Sequence, residues 1–124
     1  MTFVQENTKR GNAGKQHMII YSVTITIEAS IQSEWLNWMT SVHIGDVLKT
    51  GCFSECRMHK MIGSDGDKPT YVMQYRCRSL EDYHRYQNNF APALQKEHTA
   101  RFSGRFRGSR LVMEETATFP PTGI

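Results

Sequence analysis

The sequence predicts an α+β domain in which four strands and two helices follow the order βαββαβ. Three observations carry this. Residues 19–27 alternate, with Ile19, Tyr21, Val23, Ile25 and Ile27 on one face. Apolar residues at helical spacing follow at Ile31, Trp35, Trp38, Met39 and Val42. Tyr71–Phe102 then runs from an apolar strand through Ser79-Leu80-Glu81-Asp82 into a long aromatic-striped helix. That corner has a Ser followed three positions later by a carboxylate, the capping-box arrangement.

A chain of 124 residues makes one domain, and 39% hydrophobic with 22% charged residues is ordinary for a globular protein. The net charge of +3 permits nucleic acid without arguing for it. No apolar run approaches a bilayer span, and the N-terminus lacks the apolar centre of a signal peptide. Three cysteines, an odd count, fit reduced thiols, so the expected location is the cytoplasm. Residues 1–17 are polar and aperiodic. They read as a disordered leader, or as sequence upstream of a start at Met18.

The first strand carries its core residues at odd positions. Its other face, Met18, Ile20, Ser22, Thr24 and Thr26, is semi-polar and has no charge until Glu28. Ser30 is the expected cap of the first helix, which His43-Ile44-Gly45-Asp46 is expected to break, with one further turn at Val47-Leu48. Cys52–Ile62 is the second strand. Gly63-Ser64-Asp65-Gly66-Asp67 is a hairpin loop with two glycines available for positive φ. It lacks the further carboxylates of a calcium loop. The third strand is Thr70–Arg78 and the second helix spans 79–102, with a kink near Ala91 imposed by Pro92 and a close at Gly104. Phe106–Glu115 is the fourth strand. Residues 116–124, with Pro120 and Pro121, form an irregular tail.

Two right-handed crossovers joined by a hairpin give a ferredoxin-like domain over 18–115: a four-stranded antiparallel sheet with both helices on one face. The other face then offers Ile20, Cys52 or Phe53, Val72 and Leu111 among Ser, Thr and Gln. An apolar face of this kind meets a partner. The expected solution is a homodimer in which two sheets pack face to face, an α+β barrel enclosing a cavity.

The stretches MIIYSVTITIEASIQSEWLNWMTSVHIGDVLKTGCF and YVMQYRCRSLEDYHRYQNNFAPALQKEHTARF resemble the bacterial domain-of-unknown-function family 4286 (DUF4286). Their most specific parts are EWLNWM followed by HI, and APALQKEH. The resemblance covers about residues 18–115 and implies the dimeric α+β barrel superfamily, which holds cofactor-less monooxygenases, isomerases, heme-degrading enzymes and stress proteins. The family brings no established activity with it. This chain departs from its pattern at Gly45, where proline is expected, and at Arg107-Gly108-Ser109-Arg110, where a more apolar strand is usual.

His43 and His98 are the catalytic candidates. His43 ends the first helix, where the helix dipole favours a cation, so capping competes with proton transfer there. His98 lies in the resembled motif and competes with plain hydrogen bonding to a neighbour. If both lean towards one cavity with Tyr21 or Tyr75, proton abstraction from an aromatic or enolisable substrate becomes feasible. Tyr21, Tyr75 and Trp38 are the ligand-binding candidates, against a core role for both tryptophans at helical spacing. Zinc is rejected: Cys52 and Cys56 stand roughly 13 Å apart on a strand, and His84 and His98 about 21 Å apart along a helix. Cys77 reads as a small core residue. No cofactor is expected, although heme stays open because an axial ligand needs one histidine. Single-stranded RNA is the rival from another class, through Arg101, Arg105, Arg107 and Arg110 around Phe102 and Phe106. The third strand lacks the aromatic run of the RNA-recognition module, so these arginines read as a solvated edge. The primary expectation is a dimeric protein that binds a small organic ligand in a cavity against the sheet. The alternative is a cofactor-less monooxygenase- or isomerase-like enzyme that uses His43 and His98.

Overall fold

The computed structural model describes residues 17–64, 66 and 68–122. The expected leader lies outside these residues apart from His17, as do Asp65 and Asp67 of the hairpin loop and the last two residues of the tail. Strand β1 (Ile19–Ile27) leads into a 3-10 turn and helix α1 (Gln32–Trp38), then through a π-helical turn at Met39–His43 into α2 (Ile44–Leu48). Strands β2 (Glu55–Lys60) and β3 (Thr70–Cys77) form a hairpin. Helices α3 (Leu80–Asn89) and α4 (Ala91–Phe102) follow, and β4 (Phe106–Glu114) completes the domain.

The four strands form one sheet in the order β2-β3-β1-β4, every pairing antiparallel. This is the ferredoxin-like arrangement: each crossover returns to a strand one place removed, and the strand between runs the other way. Strand alternation sorts the sheet. Odd residues of β1, with Tyr71, Met73, Tyr75 and Cys77 of β3, pack into the core beneath the helices with Trp35, Met39, Val47 and Phe102. Even residues of β1, with Val72, Leu111 and Met113 beside them in register, occupy the opposite face.

Several expectations need correction. Gly45 does not break the first helical segment, which continues through residues 39–48. The chain widens its turn instead, and Thr40 Oγ1 donates to the Leu36 carbonyl at 2.8 Å while Ser41 Oγ donates to that of Asn37. Such hydroxyl-to-carbonyl bonds within a helix accompany its local bending. Ser30 lies inside the 3-10 turn, with no side-chain cap at either boundary, and its hydroxyl donates to Glu28 Oε1. Cys52 and Phe53 are not on the open face. They precede β2, after Gly51 reverses the chain at φ +79°, and both side chains turn into the core, 2% and 7% exposed.

The second helix follows its expected form. Ser79 Oγ accepts the Asp82 N–H at 3.1 Å, and the helix restarts at Phe90-Ala91 with Pro92 in its first turn. Gly104, at φ +78°, turns the chain into β4.

Candidate functional site

A cavity opens between the helix-covered face of the sheet and the helices, and it gathers four of the five candidate residues. Tyr21 of β1 and Tyr75 of β3, directly paired across the sheet, form part of its floor. His43 and His98 stand over it from two helical segments. Their rings are 5.8 Å apart between centroids although 55 residues separate them in sequence. The fifth candidate, Trp38, is 6% exposed and stands behind His43, stacked on its ring at 5.0 Å and 25°. Arg101 covers Trp38 at 5.5 Å, a cation–π contact. The cavity volume is about 50 Å³. Sites that enclose drug-sized molecules run to roughly 300–1,000 Å³, so this one suits a compact ligand.

The π turn is what delivers His43. An extra residue in one turn rotates the following side chains by about 100° relative to an unbroken α-helix, and such turns recur at functional sites. His43 is then half-buried, and its Nδ1 is a buried polar atom without a hydrogen-bond partner. Burial lowers its pKa, opposed by the nearby Asp46 carboxylate. His98 arrives by a different route. Ala91 and His98, the two ends of APALQKEH, form the buried face of α4 together with Phe102.

The Trp35 indole N–H donates to His98 Nε2 at 3.0 Å. An indole nitrogen can only donate, so Nε2 accepts and the proton of neutral His98 sits on Nδ1. Burial, then the neighbouring His43 and Arg110, push the His98 pKa down to about 4. The two imidazoles are therefore unequal. His98 offers a donor and has its basic nitrogen engaged, whereas His43 keeps an acceptor or donor position free.

The tyrosines are donors rather than anions at neutral pH. Burial raises the Tyr75 pKa well above its ordinary value. Burial also raises that of Tyr21, against an opposing pull from Arg110 and Gln95. Arg110, Gln95 and Tyr86 line the cavity too; the sequence points to Arg110 only within the arginine cluster weighed for RNA, and to the other two not at all. Strand parity could have found Arg110, because it shares a face with Phe106 and Gly108. The four arginines are all exposed, Arg107 and Arg110 on the edge strand β4, but they point different ways: Arg101 lies over Trp38, Arg107 pairs with Thr26 on the open face, and Arg110 lies on the helix-covered side opposite Val23.

Among the described residues no group of three or more His, Cys, Asp or Glu side chains could hold a metal ion, and all three cysteines are free thiols. Among them also, no helix is long and apolar enough to cross a membrane.

Comparisons with known proteins agree with this architecture. A search of curated proteins finds no match. Among solved structures the chain is similar to hydroxynitrile lyase from Passiflora edulis, at 13% identity and TM-score 0.61, with 85% of this chain and 99% of that one covered. SnoaB, a cofactor-independent oxygenase from Streptomyces nogalater, shows 12% identity and TM-score 0.60 over the same shares. A dimeric ferredoxin-like protein from an uncultured marine organism shows 15% identity and TM-score 0.56, covering 86% and 95%. Likeness at such identities speaks for the fold. Over residues 18–116 the sequence matches the domain of unknown function DUF4286, and the chain belongs to that family.

Proposed function

We propose that this protein is a cytoplasmic homodimer that binds a compact organic ligand in the cavity between sheet and helices. The observation that carries the reading is the convergence of His43, His98, Tyr21 and Tyr75 on one space, with a buried His43 nitrogen left without a partner. Buried polar groups are rarely left so, and a ligand atom at hydrogen-bonding distance would satisfy it. The dimer rests on the open sheet face, where Leu111 and Met113 are 54% and 41% exposed beside Ile20 and Val72. A second copy would cover them, and a structural neighbour is itself described as dimeric. Native mass spectrometry of the purified full chain tests both parts. The expected result is a dimer carrying a small molecule; a monomer at micromolar concentration would remove the barrel.

A second reading is a cofactor-independent enzyme of proton transfer, with His43 as the base. It is favoured by the inequality of the two histidines, because a neutral imidazole with an uncommitted nitrogen is suited to accept a proton. His98 would then orient the substrate through its Nδ1 proton. Turnover of quinols and enolisable carbonyl compounds, compared with His43→Ala, separates enzyme from binder. Loss of turnover with retained binding supports the enzyme, and absence of turnover in the parent supports the binder.

A further inference from the structure

The charge inventory of the cavity is one-sided. Its titratable lining residues are Tyr21, Tyr75, Tyr86, His43, His98 and Arg110, and no carboxylate is among them. The phenols are neutral at physiological pH, and burial lowers both histidine pKa values, leaving the Arg110 guanidinium as the formal charge on the wall. Arg110 is itself exposed, on the edge strand β4, so its guanidinium meets the cavity wall from the solvent side. Here the ion pairs among the described residues use Glu55, Asp82, Glu114 and Glu115, and none involves Arg110. The register fixes its position opposite Val23, next to the Tyr21–Val112 pair. Beside it stand the Tyr21 hydroxyl and the Gln95 amide, both able to donate.

We infer that the Tyr21–Gln95–Arg110 end of the cavity is a subsite for an anionic oxygen, so that its ligand is a compact organic acid or acidic enol. The inference rests on the reading of this cavity as the ligand site. A guanidinium flanked by neutral donors, with no carboxylate to compete, is the recognition chemistry of a carboxylate or enolate oxygen. The same anion would lie within the field that keeps His98 neutral. Its arrival would offset the cation that Arg110 presents to that ring.

The test compares matched acids and amides on the full chain: formate with formamide, acetate with acetamide, benzoate with benzamide. Binding is followed by NMR shifts of the Tyr21 and His98 rings, together with calorimetry. Each pair has nearly the same shape, so charge is what separates its members. The expected result is that at least one acid binds about tenfold or more tightly than its amide. Arg110→Gln should abolish that preference and Arg110→Lys should keep part of it. Equal binding of acid and amide overturns the anion subsite while leaving the ligand cavity standing. An acid preference unchanged in Arg110→Gln also overturns it. If neither acids nor amides perturb the two rings in the tens of millimolar, the subsite and the cavity reading fall together.

Discussion

The indole N–H of Trp35 meets Nε2 of His98 across 3.0 Å, in a buried contact that joins the first helical segment to the last. It assigns a tautomer, fixes the ring and divides labour between the two histidines of the cavity. Trp35→Phe keeps an aromatic ring in a fully buried place but removes the donor. Leaving that acceptor unpaired costs about 1–3 kcal/mol, to be read as a lowered urea midpoint. Nitrogen-15 NMR of the parent should show the Nδ1–H tautomer at His98, and the variant should lose that fixed assignment.

Acid should destabilise the domain through the same ring. His98 is held near 4 by burial and neighbouring positive charge, while an unfolded histidine titrates near 6.5. Between those values the unfolded chain binds more protons, so the stability is complete above pH 6.5 and is lost as pH falls towards 4. His43 contributes in the same direction. Urea unfolding at pH 7 and pH 4.5 checks this. His98→Asn should show a smaller difference between the two than the parent; an equal difference would contradict the assignment.

For a reaction run in the cavity, His43→Ala should lower kcat by roughly 10²–10⁴. With its pKa lowered by burial, His43 should keep the acid limb of kcat/KM below pH 6.5. A limb above 6.5 would place the base elsewhere.

The open sheet face supplies a test of assembly. Leu111→Asp and Met113→Asp change two exposed side chains, so the far-ultraviolet circular dichroism should be unchanged. Burying four added charges against a like surface should convert the dimer to a monomer by light scattering. A dimer that survives the double substitution would use another surface.

Helix capping gives a control with no bearing on the cavity. Ser79→Ala removes the acceptor of the Asp82 N–H and should cost about 1 kcal/mol. Ligand binding should be unaffected.

Much of this was legible because it depends on local periodicity. The β1 alternation, the α3 cap and the restart before Pro92 each follow from residues within a few positions of one another. The helix through Gly45 was not legible. Glycine lowers helix propensity by about 1 kcal/mol, but Val47 is 1% exposed and its packing outweighs that local preference. The site was half legible. His43, His98, Tyr21 and Tyr75 are chemically conspicuous residue types, whereas Arg110 read as one of a run of edge arginines, whose members point different ways.

By itself the sequence determined the six-element order, the strand faces and the residue types available for chemistry, since alternation and helical spacing are properties of neighbouring residues. Only the tertiary structure decided that His43 meets His98, that Trp38 stands behind the wall, and that Arg110 joins Tyr21. These are contacts between segments far apart in the chain, and their geometry is set by the π turn, the strand register and the packing of α4 on the sheet.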